Sequence, residues 1–343
     1  MNKPTPHIAH GFAASSAGGR LEPWAYELPP LGAHDVRIAI THCGVCHSDL
    51  DIIDNTWSDA QYPIVPGHEI IGTITEIGSA VSNLALGQRV GVCWQQHHCG
   101  HCDYCQHGQT HYCPELDAIG MHHQGGFAET IQVNQDYVCA IPDALDSLTA
   151  APLLCAGATV FHALSLNNVR PGMQVGIIGI GGLGHLALQF AHKLGCEVTA
   201  FDVDASKQSD CLGFGAREFV DCSQDEQLAS FHDQFDLLLA TTDTAINLAA
   251  FVPLLRAEKT LCFAGMPQHP MQLPLFELII GGKSISAVNI GNPQNVAKTL
   301  SFAARHSVAA QVESLPINKV NEAVERLRKH APRYRIVLEC SKN

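Results

Sequence analysis

The chain has 343 residues, 46% hydrophobic and 15% charged, enough for about two domains with buried cores. Its net charge of −13, from 33 acids against 20 Lys and Arg, argues against nucleic acid or anionic membrane as a main partner. No run reaches the ~18 apolar residues of a membrane span, and Met1 to Gly11 carry one Lys and no apolar run, so neither membrane nor secretory signal is expected.

Through roughly the first 150 residues, short apolar runs at 36–40, 70–77 and 89–93 are bounded by Gly and Pro. They read as short strands of an irregular β-rich domain. From about Ala151 the pattern changes. Strands are expected at 173–180, 197–201, 235–240, 260–264 and 284–290, with helices at 183–194 and 245–255. Such alternation predicts a parallel sheet covered on both faces. A helix at 294–305, a strand-like and a helical segment follow, and a strand at 335–338 is expected to return to the first domain.

Cys99, Cys102, Cys105 and Cys113 are spaced C-x2-C-x2-C-x7-C. Four thiolates so close can enclose one tetrahedral Zn²⁺ with no water position left, the design of a structural zinc site. Disulfides suit small secreted domains, and the common ferredoxin cluster spacings differ. Fourteen cysteines in a chain of this kind point to a reducing compartment, the cytoplasm. The unassigned ones, such as Cys43 and Cys340, read as small buried hydrophobes. Histidine is abundant at 20, several near this cluster, and abundance alone assigns no role.

Gly179, Gly181 and Gly184 form G-x-G-x-x-G, with Gly182 and Leu183 between them. The pattern follows an apolar strand and opens a helix, the context that makes it a dinucleotide site rather than a Gly-rich turn. A pyrophosphate there faces unpaired N–H groups at a helix N-terminus. Asp202 ends the next strand, 18 residues past Gly184. A carboxylate so placed accepts from both ribose hydroxyls and repels a 2′-phosphate, which predicts NAD(H) over NADP(H). Nearby Lys207 weakens that preference and is itself a candidate cofactor contact.

Two further segments are Cys43-Gly44-Val45-Cys46-His47-Ser48-Asp49 and Gly67-His68-Glu69. Alone, each reads equally well as a turn with a buried Cys or a satisfied His. Together with the cysteine cluster, the glycine motif and the segment Leu153–Ala158, they resemble the zinc-dependent medium-chain alcohol dehydrogenases. The resemblance covers nearly the whole chain and is nearest the branch of cinnamyl alcohol and microbial ethanol dehydrogenases.

That resemblance implies an α/β fold: a GroES-like β-rich catalytic domain over 1–155 and 292–343, and a Rossmann-type doubly wound parallel sheet over 156–291. It implies two Zn²⁺ per chain. Cys46, His68 and Cys155 match the ligands of the catalytic ion, Glu69 the acid beside it, and Asp49 the acid that orients the ligands. Zinc lowers the pKa of an alcohol, and hydride passes to the nicotinamide. Ser48 matches the relay hydroxyl, which hands the proton on through the cofactor ribose. His47 matches a pyrophosphate contact. Asp51 stands where that branch places the His ending the relay, and a free Asp is a poorer carrier at neutral pH. Trp57 and Trp94 match pocket-lining positions, with core aromatics as the alternative. Arg335 matches a basic residue near the cofactor phosphates, with a surface ion pair as the alternative.

The expected function is hydride transfer between NAD(H) and a small aliphatic or aromatic primary alcohol or aldehyde, by a homodimer or homotetramer. A polyol dehydrogenase or another reductase of the same fold is the alternative. A non-catalytic zinc- and nucleotide-binding regulator is disfavoured by an open metal site beside a cofactor motif.

Overall fold

The computed structural model describes residues 7–340. These divide into two compact units: one comprises the chain up to Cys155 with Gly291–Arg305 and the residues from Ala309 on, the other Ala156–Ile290 with His306–Val308.

The first unit is built on a seven-stranded sheet. Its path runs Val312–Pro316, Arg335–Glu339, Asp35–Val45, Glu69–Ile77, Arg89–Val92 and Val138–Ala140, with Thr130–Asn134 also pairing to Asp35–Val45. Asp35–Val45 extends five residues beyond the expected 36–40 because its far end is gripped on both sides. Gly44 pairs with Glu69 on one flank and with Val337 on the other. The side chains facing inward, Val36, Ile38, Ile70, Ile74, Val90 and Leu338, are all at most 1% exposed. Full burial of such side chains stabilises by about 1.5–3 kcal/mol each. The strand from Arg335 thus does return to this unit, as expected.

The second unit is a six-stranded parallel sheet with spatial order Glu218–Asp221, Glu197–Asp202, Gln174–Ile178, Phe235–Ala240, Leu255–Phe263, Ser284–Ala287. The order reverses between the strands starting at Gln174 and Phe235, the switch point where such sheets bind nucleotides. The expected helix at 245–255 is reduced to Leu248–Phe251 and a 3-10 turn, Val252–Leu254. Pro253 lacks the N–H that would continue the helix. The strand expected to reach 290 stops at Ala287. Among the described residues no single helix is long and apolar enough to cross a membrane.

Candidate metal and cofactor sites

Strand register assembles the first site. Cys46 follows the end of Asp35–Val45 and caps the helix His47–Asp54, while His68 immediately precedes the strand Glu69–Ile77. Cys155 follows a fully buried 3-10 turn, Ala151–Leu154, packed on both of those strands. The Cys46 and Cys155 sulfurs are 3.9 Å apart, and His68 Nε2 lies 3.3 Å from Cys155 Sγ. Two thiolates at ~2.3 Å from one tetrahedral zinc stand ~3.8 Å apart, so the donor set fits that ion.

Asp49 holds this set from behind. Its Oδ1 accepts from Gly67 N and lies 3.0 Å from His68 Nδ1, and its Oδ2 accepts from Cys46 N. Nδ1 so engaged leaves Nε2, which faces Cys155 Sγ, free to serve a metal. Burial lowers the His68 pKa, but Asp49 and Cys46 together outweigh it and raise the imidazole well above its ordinary range.

Glu69 joins the same cluster, its ligand atom within 4.8 Å of the other three. Burial raises its pKa to about 7 against the pull of Arg335. Arg335 Nη2 donates to both Glu69 oxygens at 2.5 and 2.6 Å. The arginine is only 4% exposed, so the surface ion pair considered for it is not what the fold builds. Its guanidinium is turned to Glu69, and its Nε has no hydrogen-bond partner. The paired register explains the meeting: Ile336 lies beside Val45, and Gly44 beside Glu69. A Cβ on Gly44 would overlap the Glu69 carboxylate, so only glycine admits the acid there. Sequence reasoning did not assign Gly44 a role, since its need arises from a neighbour on another strand.

Ser48 Oγ stands 3.9 Å from Cys46 Sγ. Asp51 lies three residues further along the same helix and is 7% exposed. Burial raises its pKa, opposed by the charge of His47 and a hydrogen bond from Thr56. His47 is half-buried and stacks on His330 at 6.3 Å, a neighbour no local motif announced. Trp94 meets the His68 ring edge-on at 5.2 Å and Trp57 at 5.9 Å. Both indoles are partly buried at the margin of the first unit's core.

The second metal cluster brings Cys99, Cys102, Cys105 and Cys113 within 4.8 Å of one another. Backbone N–H groups of Cys99 and Glu115 donate to Cys113 Sγ, and that of Cys102 to Cys99 Sγ, at 3.3–3.4 Å. Such N–H···S bonds favour thiolates, the form that binds metal.

In the second unit, Gly179 has φ +85°, and a Cβ on Gly184 would strike the Gly179 carbonyl. A Cβ on Gly181 would meet no protein atom within 4 Å, so the space before it is free for a ligand's pyrophosphate. Gly182 and Leu183 lead into the helix Gly184–Lys193. Asp202 is 5% exposed and already bonded: Ile180 N donates to Oδ2 at 2.6 Å and Asp204 N to Oδ1 at 2.9 Å. Lys207 Nζ bridges both oxygens at 3.0 and 3.2 Å.

A cluster of two thiols, an imidazole and a carboxylate, a second cluster of four cysteines, and a parallel sheet with a glycine-rich turn at its switch point are together the parts of a zinc-binding dehydrogenase. Residues 32–143 match the alcohol dehydrogenase GroES-like domain, and residues 182–305 the zinc-binding dehydrogenase domain. The chain is 38% identical to an aldehyde reductase, AdhA, of Synechocystis over 97% of this chain and 99% of that one. A cinnamyl alcohol dehydrogenase from Sorghum bicolor superposes with a TM-score of 0.93 at 35% identity, covering 97% of this chain and 98% of that one. A Helicobacter pylori relative, solved with NADP(H), gives 0.92 at 27% identity over 99% of this chain and 100% of that one. The chain belongs to the zinc-binding alcohol dehydrogenase family and is an oxidoreductase.

Proposed function

We propose that the protein is a two-zinc, NAD(H)-preferring dehydrogenase that interconverts small primary alcohols and aldehydes. The observation that carries this reading is the cluster Cys46, His68, Glu69 and Cys155 with Asp49 behind it, in which Glu69 is drawn to Arg335 and the other three are left as ligands. Bound there, zinc would polarise the substrate oxygen, and NAD(H) would supply or take the hydride. The chain's residues do the rest. Ser48 takes the hydroxyl proton, and Asp51 stands one helical turn on, at the exit. The raised pKa of Asp51 brings it nearer neutrality and makes it a better carrier than a solvated aspartate. Trp57 and Trp94 narrow the approach to the metal set. His47 faces the cofactor phosphates. The fourteen cysteines, none of them joined in a disulfide among the described residues, suit a reducing cytoplasm.

Asp202 supports the cofactor preference. A 2′-phosphate would meet a carboxylate that Ile180 and Asp204 hold in place. Lys207 offsets part of that repulsion. Asp202→Ser is expected to lower NADH/NADPH discrimination by about 1.5–3 kcal/mol, the value of a hydrogen bond to a charged group. The check is kcat/KM for a panel of aliphatic and aromatic aldehydes with both cofactors. Wild-type enzyme that prefers NADPH refutes the assignment, and an aldehyde panel without turnover refutes the reaction.

A dimer through the second unit's sheet edge completes the proposal. Ser284–Ala287 is an edge strand, and the preceding helix Leu275–Gly281 leaves Phe276, Ile279 and Ile280 73–74% exposed. An unpaired edge beside an apolar patch favours pairing with a second copy. Sedimentation should give a dimer or tetramer, and Phe276→Glu with Ile280→Lys a monomer. A monomeric wild type at working concentration ends this part of the proposal.

A further inference from the structure

The cysteine lobe carries a second ligand set that the closed four-thiolate site does not use. Cys99, His101 and Glu115 place ligand atoms within 4.8 Å of one another. Cys99 is half-buried, whereas His101 and Glu115 are exposed. The two sets therefore share one thiolate, and the second adds two exposed ligands to it. The outer residues are held in place by the inner ones. His101 Nδ1 lies 2.9 Å from the Cys99 carbonyl oxygen, which fixes the ring over the C-x2-C turn. With Nδ1 donating to that carbonyl, Nε2 keeps the lone pair a metal takes. The Glu115 N–H donates to Cys113 Sγ, which sets this residue beside the cluster.

A site closed by four thiolates has no open position, so a metal enters or leaves it only by exchanging ligands one at a time. Exposed nitrogen and oxygen ligands around a shared thiolate supply the intermediate stop. We propose that Cys99, His101 and Glu115 form an outer zinc-binding site through which zinc is loaded into, and withdrawn from, the set Cys99, Cys102, Cys105 and Cys113. On loading, hydrated zinc exchanges waters for the Cys99 thiolate, the His101 nitrogen and the Glu115 carboxylate. The thiolates of Cys102, Cys105 and Cys113 then displace His101, Glu115 and the remaining water. Each cysteine that arrives as a thiol releases its proton to solvent, and no electrons change hands. The inference rests on the reading that the four cysteines hold zinc.

A transfer site changes rates in both directions by one factor and leaves the equilibrium alone. The test compares holoenzyme with the variant His101→Ala, Glu115→Gln. Withdrawal of zinc is followed with a chromogenic chelator, exchange against isotopically labelled zinc by mass spectrometry, and affinity by chelator competition. The same measurements in a His68→Ala background assign the lobe's phase. The double variant should keep its lobe zinc and its affinity, while withdrawal and exchange both slow by about tenfold, the factor that ~1.4 kcal/mol of lost transition-state stabilisation produces. Glu115→Asp, which keeps a carboxylate, should retain most of the rate. Should the double variant fold poorly, Glu115→Gln alone gives the same reading in smaller measure. Wild-type rates in these variants overturn the proposal. So does faster withdrawal with weaker affinity, which would make the two residues stabilisers of bound zinc. A holoenzyme without lobe zinc instead overturns the reading beneath it.

Discussion

Cys102→Ser is expected to cost the cysteine lobe its fold, whereas His68→Ala should leave a folded chain with almost no turnover. The lobe has little apolar material of its own. Neither the helix Asp103–Gln106 nor the 3-10 turn Thr110–Tyr112 buries a single residue. Only Cys113 among the four cysteines is buried. Cohesion must come from the metal, and removing one ligand removes folding free energy directly. His68 is instead itself 0% exposed, immediately before a strand whose Ile70 and Ile71 are also 0% exposed. Its loss leaves a cavity and an unpaired Asp49, worth about 1–3 kcal/mol, which the core around that strand absorbs. Metal analysis, thermal melts and limited proteolysis separate the cases. Each variant should lose one zinc of two, but only Cys102→Ser should be cleaved in the lobe or aggregate. Equal folding with equal loss of activity would show that the two sets are not divided in this way.

Ser48→Ala should lower turnover by about 100- to 10,000-fold, the usual contribution of a positioned proton-transfer group. Zinc content and cofactor binding should survive, because the serine hydroxyl is no ligand and the helix His47–Asp54 keeps its cap at Cys46. Asp51→Asn should cost less, since Asp51 stands one step further from the substrate oxygen than Ser48. Asp51→His should introduce a group titrating near neutrality and reshape the pH profile of kcat. Stability gives an independent reading. The native state holds the Asp51 proton more tightly than the unfolded chain, because burial raises its pKa. Wild-type stability therefore falls as pH climbs from the ordinary aspartate range through the native value. Asparagine never ionises, so Tm of Asp51→Asn should gain on wild type over that same window and not below it. If Ser48→Ala keeps wild-type turnover while a solvent isotope effect shows proton transfer to be visible, the proton leaves by another path.

What the sequence made legible was whatever is local. The four lobe cysteines lie within 15 consecutive positions, and the glycine motif sits between one strand and its helix. Strands with strong apolar runs, such as Phe235–Ala240, stood out because both faces are covered. The strand Glu218–Asp221 did not, since only Val220 in it is buried. The hairpin His7–Ala13 with Glu22–Leu28 was equally silent. The first of its strands buries Ala9, Gly11 and Ala13, residues too small to mark a core-facing side. The partnership of Glu69 with Arg335 was out of reach for another reason. It depends on which residue of one strand lies opposite which residue of another, and nothing near Arg335 in the chain says so.

That partnership also sets the order in which the enzyme can be made. Glu69 and Arg335 are 266 positions apart, so the ribosome delivers the arginine roughly 13–53 s after the acid, at about 5–20 residues per second. From Cys155 onward, 86 positions after Glu69, all the candidate metal ligands are synthesised, but the acid beside them lacks the counter-charge of Arg335. Burying an unpaired carboxylate costs about 3–5 kcal/mol, comparable to much of a domain's net stability. Glu69 therefore gains its paired, buried setting only once Arg335–Glu339, synthesised after residues 156–290 of the second unit, has paired with Asp35–Val45. The ion pair beside the metal-ligand cluster is thus completed by Arg335–Glu339, the last of the described strands to be synthesised.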